Sequence, residues 1–598
     1  MKDIPSLFSL CLRTITWNIM HGCGNSQDLF ELPSVFLDGL LMILPPLALQ
    51  NIYELHNELN LAWETLYKKR WPENLKTKHQ LRGTEADHGI VTHESTCAID
   101  WQQLYWEEHL QECLDAVTEQ ALLPSFDGNI AELEIPESIM GLIGHFGSGD
   151  CNCSKLSCHC SQFGCYVRCL RLQGVLCRDE VLNLLEESKL EALVLRRILS
   201  RRHVDGACKL IYQNRETLAS IELVYCKLLP LDIDMICGSI YNKDIRYHGI
   251  QHFSIKSSNI FGSKSSIIPS GLSFFLSSGR SLHSVRFADV HMGQKSAVAI
   301  FEALIESPSG LASFEMSGNE LEGWLSKVGN RYNHFSPVSE PHIALQSLVL
   351  LNLRGNNLNE SDMSGLHHML VNMPKLLSLD LSDNPIGDDG LRSLMPFFVK
   401  DLGKTSRATE IWLENCDLSG IGVSELLQSL AMMKGQLKTL SFAGNDLGSS
   451  VGPPLAEFLG KSLVQNLNIE DIGLGSFGFQ ELDRELTKEI ALAHINISKN
   501  RGGVQAAHFI SCIICRAPDI VSINGGSNLL PPESLSIIED ALRKSKGNKL
   551  EKIDLTGNTS LCSLNSEFII SQFMFQGNPI IILSSFDPYS APHHDDDP

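Results

Sequence analysis

LVLLNLRGNNL, residues Leu348–Leu358, alternates apolar and polar side chains through its first half and then breaks on Arg354-Gly355-Asn356-Asn357. The alternation is that of a half-buried strand, and Gly beside Asn is what a tight turn prefers. The same frame returns in LLSLDLSDNPI from Leu376 and in LKTLSFAGNDL from Leu437. One strand-and-turn unit therefore recurs along the chain.

Written as L-x-x-L-x-L-x-x-N/C-x-L, with any apolar residue at the leucine positions, the frame starts at Val167, Leu190, Leu218, Ile250, Leu282, Leu311, Leu348, Leu376, Ala408, Leu437, Val464, Leu492, Ile520 and Leu550. Those are fourteen copies, mostly 27 to 32 residues apart. Between the strands lie segments with helical spacing, such as SDMSGLHHMLVNM (Ser361–Met373) and SELLQSLAMM (Ser424–Met433). A unit of strand, turn and helix cannot bury both its apolar faces alone, so neighbours must stack.

This pattern resembles leucine-rich-repeat proteins of the ribonuclease-inhibitor subtype. The resemblance implies an α/β fold: a curved solenoid with a parallel sheet inside and helices outside, here preceded by a small all-α module. The Asn or Cys at the ninth frame position (Asn319, Asn356, Asn384, Asn445, Asn500, Asn528, Asn558, with Cys226 and Cys416) is expected to satisfy turn backbone that stacking would bury unpaired. The period is disturbed after Leu311, where SKVGNRYNHFSPVSEPH reads as a loop, and after Leu561, where the chain runs to an acidic end. The expected divisions are a helical module at 1–75, a helical linker at 76–150, a Cys-rich loop at 151–166, repeats at 167–565 and a tail at 566–598.

In such an array the fifth and seventh frame positions point from the sheet to solvent, where binding surfaces usually lie. Among them, Arg286, Arg354, Asp380, Trp412 and Glu414 are the expected contacts to a target protein. Trp412, an outward aromatic among charges, has the makeup of a hot spot; it could equally serve only to cover adjacent repeats.

The composition, with 43% hydrophobic and 20% charged residues, is that of a globular protein, and a net charge of −22 argues against a general grip on nucleic acid. Basic or neutral protein partners fit better. Eighteen cysteines, most of them scattered through regular apolar pattern, point to a reducing compartment, the cytoplasm or nucleus. The start SLFSLCLRTI (Ser6–Ile15) makes a poor secretion signal because Asp3 follows Lys2 and Arg13 interrupts the apolar run. LPSVFLDGLLMILPPLAL (Leu32–Leu49) approaches membrane-spanning length, but Asp38 and Pro45-Pro46 inside it favour buried helices with a break, so no membrane partner is expected.

Leu7, Cys11 and Ile15 recur every fourth residue and would share one helical face. With Ser6 they resemble the BC-box by which substrate receptors of the suppressor-of-cytokine-signalling type dock on elongin C. Leu32, Pro33, Phe36 and Leu40 follow, then Trp63, Lys68, Lys69, Arg70 and Trp71; that order resembles both a cullin box and an F-box. The resemblance implies a substrate receptor of a cullin-RING ubiquitin ligase, with elongin C or a Skp-type adaptor and a cullin as partners. The competing expectation is a ribonuclease-inhibitor-like interaction protein with a private helical cap. STCAIDWQQLYWEEHLQECLDAV (Ser95–Val117) reads as a rigid helix joining the modules.

Cys151, Cys153, Cys158 and Cys160 invite a zinc reading, but C-x-C-x4-C-x-C lacks the C-x2-C spacing that marks such sites. No metal or other cofactor is expected. LGKS (Leu459–Ser462) lacks the glycine that opens a phosphate-binding loop, and neither H-E-x-x-H nor G-x-S-x-G occurs. A binding protein, not an enzyme, is expected.

Overall fold

Each of the fourteen frame starts is followed, two residues later, by a strand. In the computed structural model these are β1 (Cys169–Gln173), β2 (Ala192–Arg196), β3 (Ser220–Val224), β4 (His252–Lys256), β5 (Ser284–Ala288), β6 (Ser313–Glu315), β7 (Leu350–Asn352), β8 (Ser378–Asp380), β9 (Glu410–Trp412), β10 (Thr439–Ser441), β11 (Asn466–Asn468), β12 (His494–Asn496), β13 (Ser522–Asn524) and β14 (Lys552–Asp554). The structure describes residues 44–50, 56–72, 99–126, 128–144, 153–241, 247–260, 268–332, 343–398, 409–431, 437–545, 549–562, 574–575 and 578–583, together with Cys11, Thr14, Ile15, Trp17 and Asn18.

The chain divides into two compact units, the first made of residues 1–262 and 269–282 and the second of 263–268 and 283–598. In the first, β1 to β4 pair in parallel in chain order. In the second, β5 to β14 do the same, and the ladder ends on a short strand of two isoleucines, β17 (Ile581–Ile582), after a small antiparallel pair, β15 (Met574–Phe575) and β16 (Asn578–Pro579). The last sheet strand thus lies past residue 565, in the stretch read as tail; its apolar Ile580-Ile581 is buried although the N/C-x-L end of the frame is missing.

Strands β1, β3, β4 and β5 alternate half-buried and buried positions, as the period of two requires. Within each unit the helices between strands pack on their neighbours. Glu360–Leu370 shows why such a segment is helical: Asn359 and Asp362 form a capping box at its start, and Met363, Leu366, Met369 and Leu370 bury one stripe. One expectation fails here. Residues 326–332, read as loop, belong to the helix Trp324–Tyr332, because Trp324, Leu325 and Val328 fall on one face and are buried.

The ninth-position asparagines do what the frame requires. Asn384, fully buried, accepts N–H bonds from Asn356 and Leu358 of the preceding repeat at 2.8 and 3.0 Å and donates to the carbonyls of Leu353 and Leu381 at 2.9 and 2.8 Å. Asn356, Asn445, Asn500 and Asn528 bridge their own neighbours likewise. Cys416 keeps only the donor half, its thiol reaching the Leu381 carbonyl at 3.3 Å. Just before this position the chain turns left-handed in each repeat from Arg197 to Gly557, a conformation that costs most side chains energy and closes the strand.

Ahead of β1 lie α1 (Pro46–Gln50), α2 (His56–Arg70), α3 (Trp101–Ala121), α4 (Glu137–Leu142) and α5 (Leu156–Phe163). Pro46 opens α1, where its missing N–H costs nothing, and Leu44, Ala48, Leu49, Ala62, Trp63, Tyr67, Trp101, Tyr105 and Trp106 form one core. The expected rigid helix is α3, started by Asp100, whose side chain accepts from the Gln103 N–H at 3.0 Å. It does more than join modules. Glu107 accepts the N–H groups of Arg168 and Cys169 at 2.8 and 2.9 Å, and Gln111 both accepts from the N–H and donates to the carbonyl of Arg171. The helix thereby satisfies the open edge of β1, which would otherwise offer itself to another strand. Among the described residues no helix is long and apolar enough to cross a membrane.

Candidate functional site

Parallel register sets the fifth position of each repeat beside that of the next: Asn352 pairs with Asp380, Asp380 with Trp412, Trp412 with Ser441 and Ser441 with Asn468. On and beside this row lie four of the five expected target contacts, Arg354, Asp380, Trp412 and Glu414, and two of them, Arg354 and Glu414, are bonded to each other. Arg354 donates from Nε to Asp383 at 2.6 Å and from Nη1 to Glu414 at 3.3 Å. The other Glu414 oxygen accepts from the Ser441 hydroxyl at 2.5 Å and from Asn468 at 3.0 Å. Asp383 also accepts from Asn415 at 2.8 Å. Glu414 therefore ties β7, β9, β10 and β11 together at the sheet face, and its carboxylate is held in one orientation.

Trp412 stands in the middle of this row, half-buried between Asp380 and Ser441 in register. Arg286 is further back in the same unit, pairing with the buried Glu315 across β5 and β6 at 3.2 Å. Asp383, Ser441 and Asn468 complete the network. Asn468 shares the fifth-position signal, whereas Asp383 sits at the left-handed eighth position, one step outside the positions that pattern reading singles out.

Asp380 is buried with its carboxyl raised above the ordinary value, first by burial and further by Glu414, while bonds from Ser382 and the charge of Arg354 oppose the shift. A raised folded value means that the native state keeps its proton to higher pH than the unfolded chain. The stability associated with this group is thus full below the ordinary 3.8 and is lost as pH rises through the folded value. Asn352, Asn468, Asn496 and Asn524 occupy the same frame position and make the same bond to an N–H two residues on. Asp380→Asn should therefore keep that bond, raise the urea midpoint near neutral pH and flatten its pH dependence above the ordinary carboxylate range; an unchanged slope would show that Asp380 does not titrate there.

The front-end residues are placed as follows. Cys11 is exposed, while Ile15 is half-buried and packs against the core of Leu44, Trp63, Tyr67 and their neighbours. Leu7, Leu32, Pro33, Phe36 and Leu40 lie outside the described residues. Of the basic run after Trp63, Arg70 turns inward: its guanidinium bonds the Tyr105 hydroxyl and the Glu112 carboxylate, both at 2.8 Å, and only 8% of its side chain is exposed. Of the four cysteines weighed for zinc, Cys151 lies outside the described residues, Cys153 and Cys158 are half-buried, and Cys160 is buried with its thiol pushed up to about 12 by desolvation. Among the described residues no three of these cysteines converge on one point.

Residues 372–395 match a family model described as Leucine Rich repeat. Ribonuclease inhibitor from Sus scrofa is 30% identical over 158 residues, covering 26% of this chain and 34% of that protein. Tonsoku-like protein from Mus musculus is 28% identical over 269 residues, covering 38% of this chain and 19% of that protein. The chain thus spans well under two thirds of the length of these curated relatives. Among solved structures, the yeast Rad7 and Elc1 complex aligns over 69% of this chain and 84% of the matched one, at 14% identity and a TM-score of 0.39. The strand ladder described above is a leucine-rich-repeat fold, and part of the chain is similar in sequence to ribonuclease inhibitor.

Proposed function

We propose that this scaffold is the substrate-recognition subunit of a cullin-RING ubiquitin ligase, its front helices docking elongin C or a Skp-type adaptor and its sheet face holding a target protein. The observation that carries the proposal is the exposed Cys11 within Ser6-Leu7-x3-Cys11-x3-Ile15, ahead of a leucine-rich-repeat array. Leu7 would anchor in the adaptor, Cys11 and Ile15 would pack below it, and Leu32, Pro33, Phe36 and Leu40 would extend the contact. The target would meet Arg354, Asp380, Trp412 and Glu414, with Arg286 at the margin. A partner with basic residues suits a face carrying Asp380, Asp383, Glu414 and Glu470 on a chain of net charge −22. The chain itself would contribute proximity, the chemistry belonging to the recruited conjugating enzyme.

A second reading, an interaction or inhibitor protein outside ubiquitin transfer, is favoured by the sequence relation to ribonuclease inhibitor and by Ile15 packing on its own module. Affinity purification of the full chain separates the two. The ligase reading expects elongin C or a Skp-type adaptor to co-purify and to be lost in Leu7→Asp and Cys11→Asp. Recovery of neither adaptor with the unaltered chain would sink it and leave the inhibitor reading.

A further inference from the structure

Helix α3 places His109 and Cys113 one turn apart, and α5 brings His159 against them from 50 positions along the chain. The approach of α5 is fixed by a short two-stranded contact just before it: Ile135 donates to the Ser154 carbonyl at 2.7 Å and Leu156 to the Leu133 carbonyl at 2.9 Å. All three side chains are buried, and their donor atoms lie within 4.8 Å of one another. His109 Nε2 is 3.1 Å from His159 Nδ1, and the Cys113 sulfur is 3.7 and 3.9 Å from those two nitrogens.

We propose that His109, Cys113 and His159 hold a zinc ion that ties α3 to α5. A tetrahedral ion with bonds of about 2.1 Å to nitrogen and about 2.3 Å to sulfur would separate the nitrogens by about 3.4 Å and each nitrogen from the sulfur by about 3.6 Å. The three observed separations are each within a few tenths of an ångström of that figure. Two imidazoles and a thiolate are a donor set that zinc favours.

The surroundings of His159 fit the role. Its Nε2–H points at the Met140 sulfur, 3.2 Å away, which fixes the tautomer and leaves the Nδ1 lone pair facing His109 and Cys113. Trp106 stacks on Phe163 at 4.1 Å and both rings meet His109 edge-on, so the cluster is walled by aromatics. Cys160, buried and next in sequence to His159, raises the Cys113 thiol further but is not among the three converging donors, so the site would be three-coordinate from the protein.

The arrangement around His109 must change on binding. Arg70 Nη2 is 3.2 Å from His109 Nδ1, and a neutral ring that gives Nε2 to a metal carries its proton on Nδ1. Arg70 must then release this contact and keep its other partners, Tyr105 and Glu112. Zinc displaces the Cys113 thiol proton to solvent, so one proton leaves for each ion bound, and the thiolate and Glu112 offset the charge of the guanidinium.

The test is elemental analysis of the full-length chain purified without chelators. One zinc per chain is expected, falling at least about tenfold in Cys113→Ser and His159→Gln and staying in Cys153→Ser. Cobalt loading of the unaltered chain reads the site without any variant: a thiolate-to-cobalt charge-transfer band with tetrahedral d–d absorption is expected. Absence of metal and of that band would overturn the proposal. So would copper in place of zinc, or zinc that leaves with Cys153 and stays with Cys113→Ser.

Discussion

Asn384→Ala is expected to cost about 3 to 5 kcal/mol, since each buried backbone group left unpaired costs about 1 to 3 kcal/mol. The truncation strands the N–H groups of Asn356 and Leu358 in a position with no exposure to water, and takes one of two donors from each of the carbonyls of Leu353 and Leu381, which keep Asn356 Nδ2 and the Cys416 thiol. Urea unfolding measures it, with Asn359→Ala as the comparison. Asn359 caps the helix Glu360–Leu370 from a half-buried position, and losing a cap costs about 1 kcal/mol. Asn384→Cys should fall between the two, because a thiol restores one donor to these carbonyls, as Cys416 supplies one to Leu381, while the two N–H groups stay unmet. Equal midpoints for Asn384→Ala and Asn359→Ala would show that the asparagine ladder is not what holds successive repeats in register.

Glu107→Ala is expected to destabilise the first unit by about 2 to 4 kcal/mol, from two buried charge-assisted bonds to backbone N–H groups. The same carboxylate also accepts from Gln103 at 2.9 Å, so its loss removes one of the bonds of a second side chain of α3, which keeps the Tyr166 carbonyl. The larger consequence is on assembly. With the N–H groups of Arg168 and Cys169 no longer met, the edge of β1 becomes a template for another strand, and the variant should self-associate as its concentration rises. Sedimentation across a concentration series reads this. Glu119→Ala, at an exposed place on the same helix, should leave both stability and mass unchanged. A monomeric, fully stable Glu107→Ala chain would mean that α3 only lies beside the sheet and does not cap it.

Both results depend on features that differ in how far they can be read from the chain. The asparagine ladder is local: a frame of eleven positions determines which residue turns, which points inward and which bridges backwards, and neighbouring units repeat the same solution. For that reason the frame placed fourteen strands, from β1 to β14, without any knowledge of the tertiary structure. It lost β17, whose Ile580-Ile581-Ile582 has the apolar run without the asparagine, and it lost the helix at Trp324, whose buried face was hidden inside an irregular spacing.

At the sheet face the pattern named Arg354, Asp380, Trp412 and Glu414 because outward positions follow from a period of two. It did not name Asp383, which reaches Arg354 from a turn whose left-handed backbone aims its side chain back over the sheet. Nor could it tell that Arg286 pairs with Glu315 of the next strand.

What the amino-acid sequence determined by itself is the repeat: its period, its strands and the residues that stitch one turn to the next, since every one of those interactions is made within a unit or with the unit beside it. Only the tertiary structure decided that α3 is a cap, that Arg70 points inward, and that His109 and Cys113 meet His159. Those contacts join residues 35 to 62 positions apart through helices with no repeating frame, and their partners are chosen by packing, which no local pattern encodes.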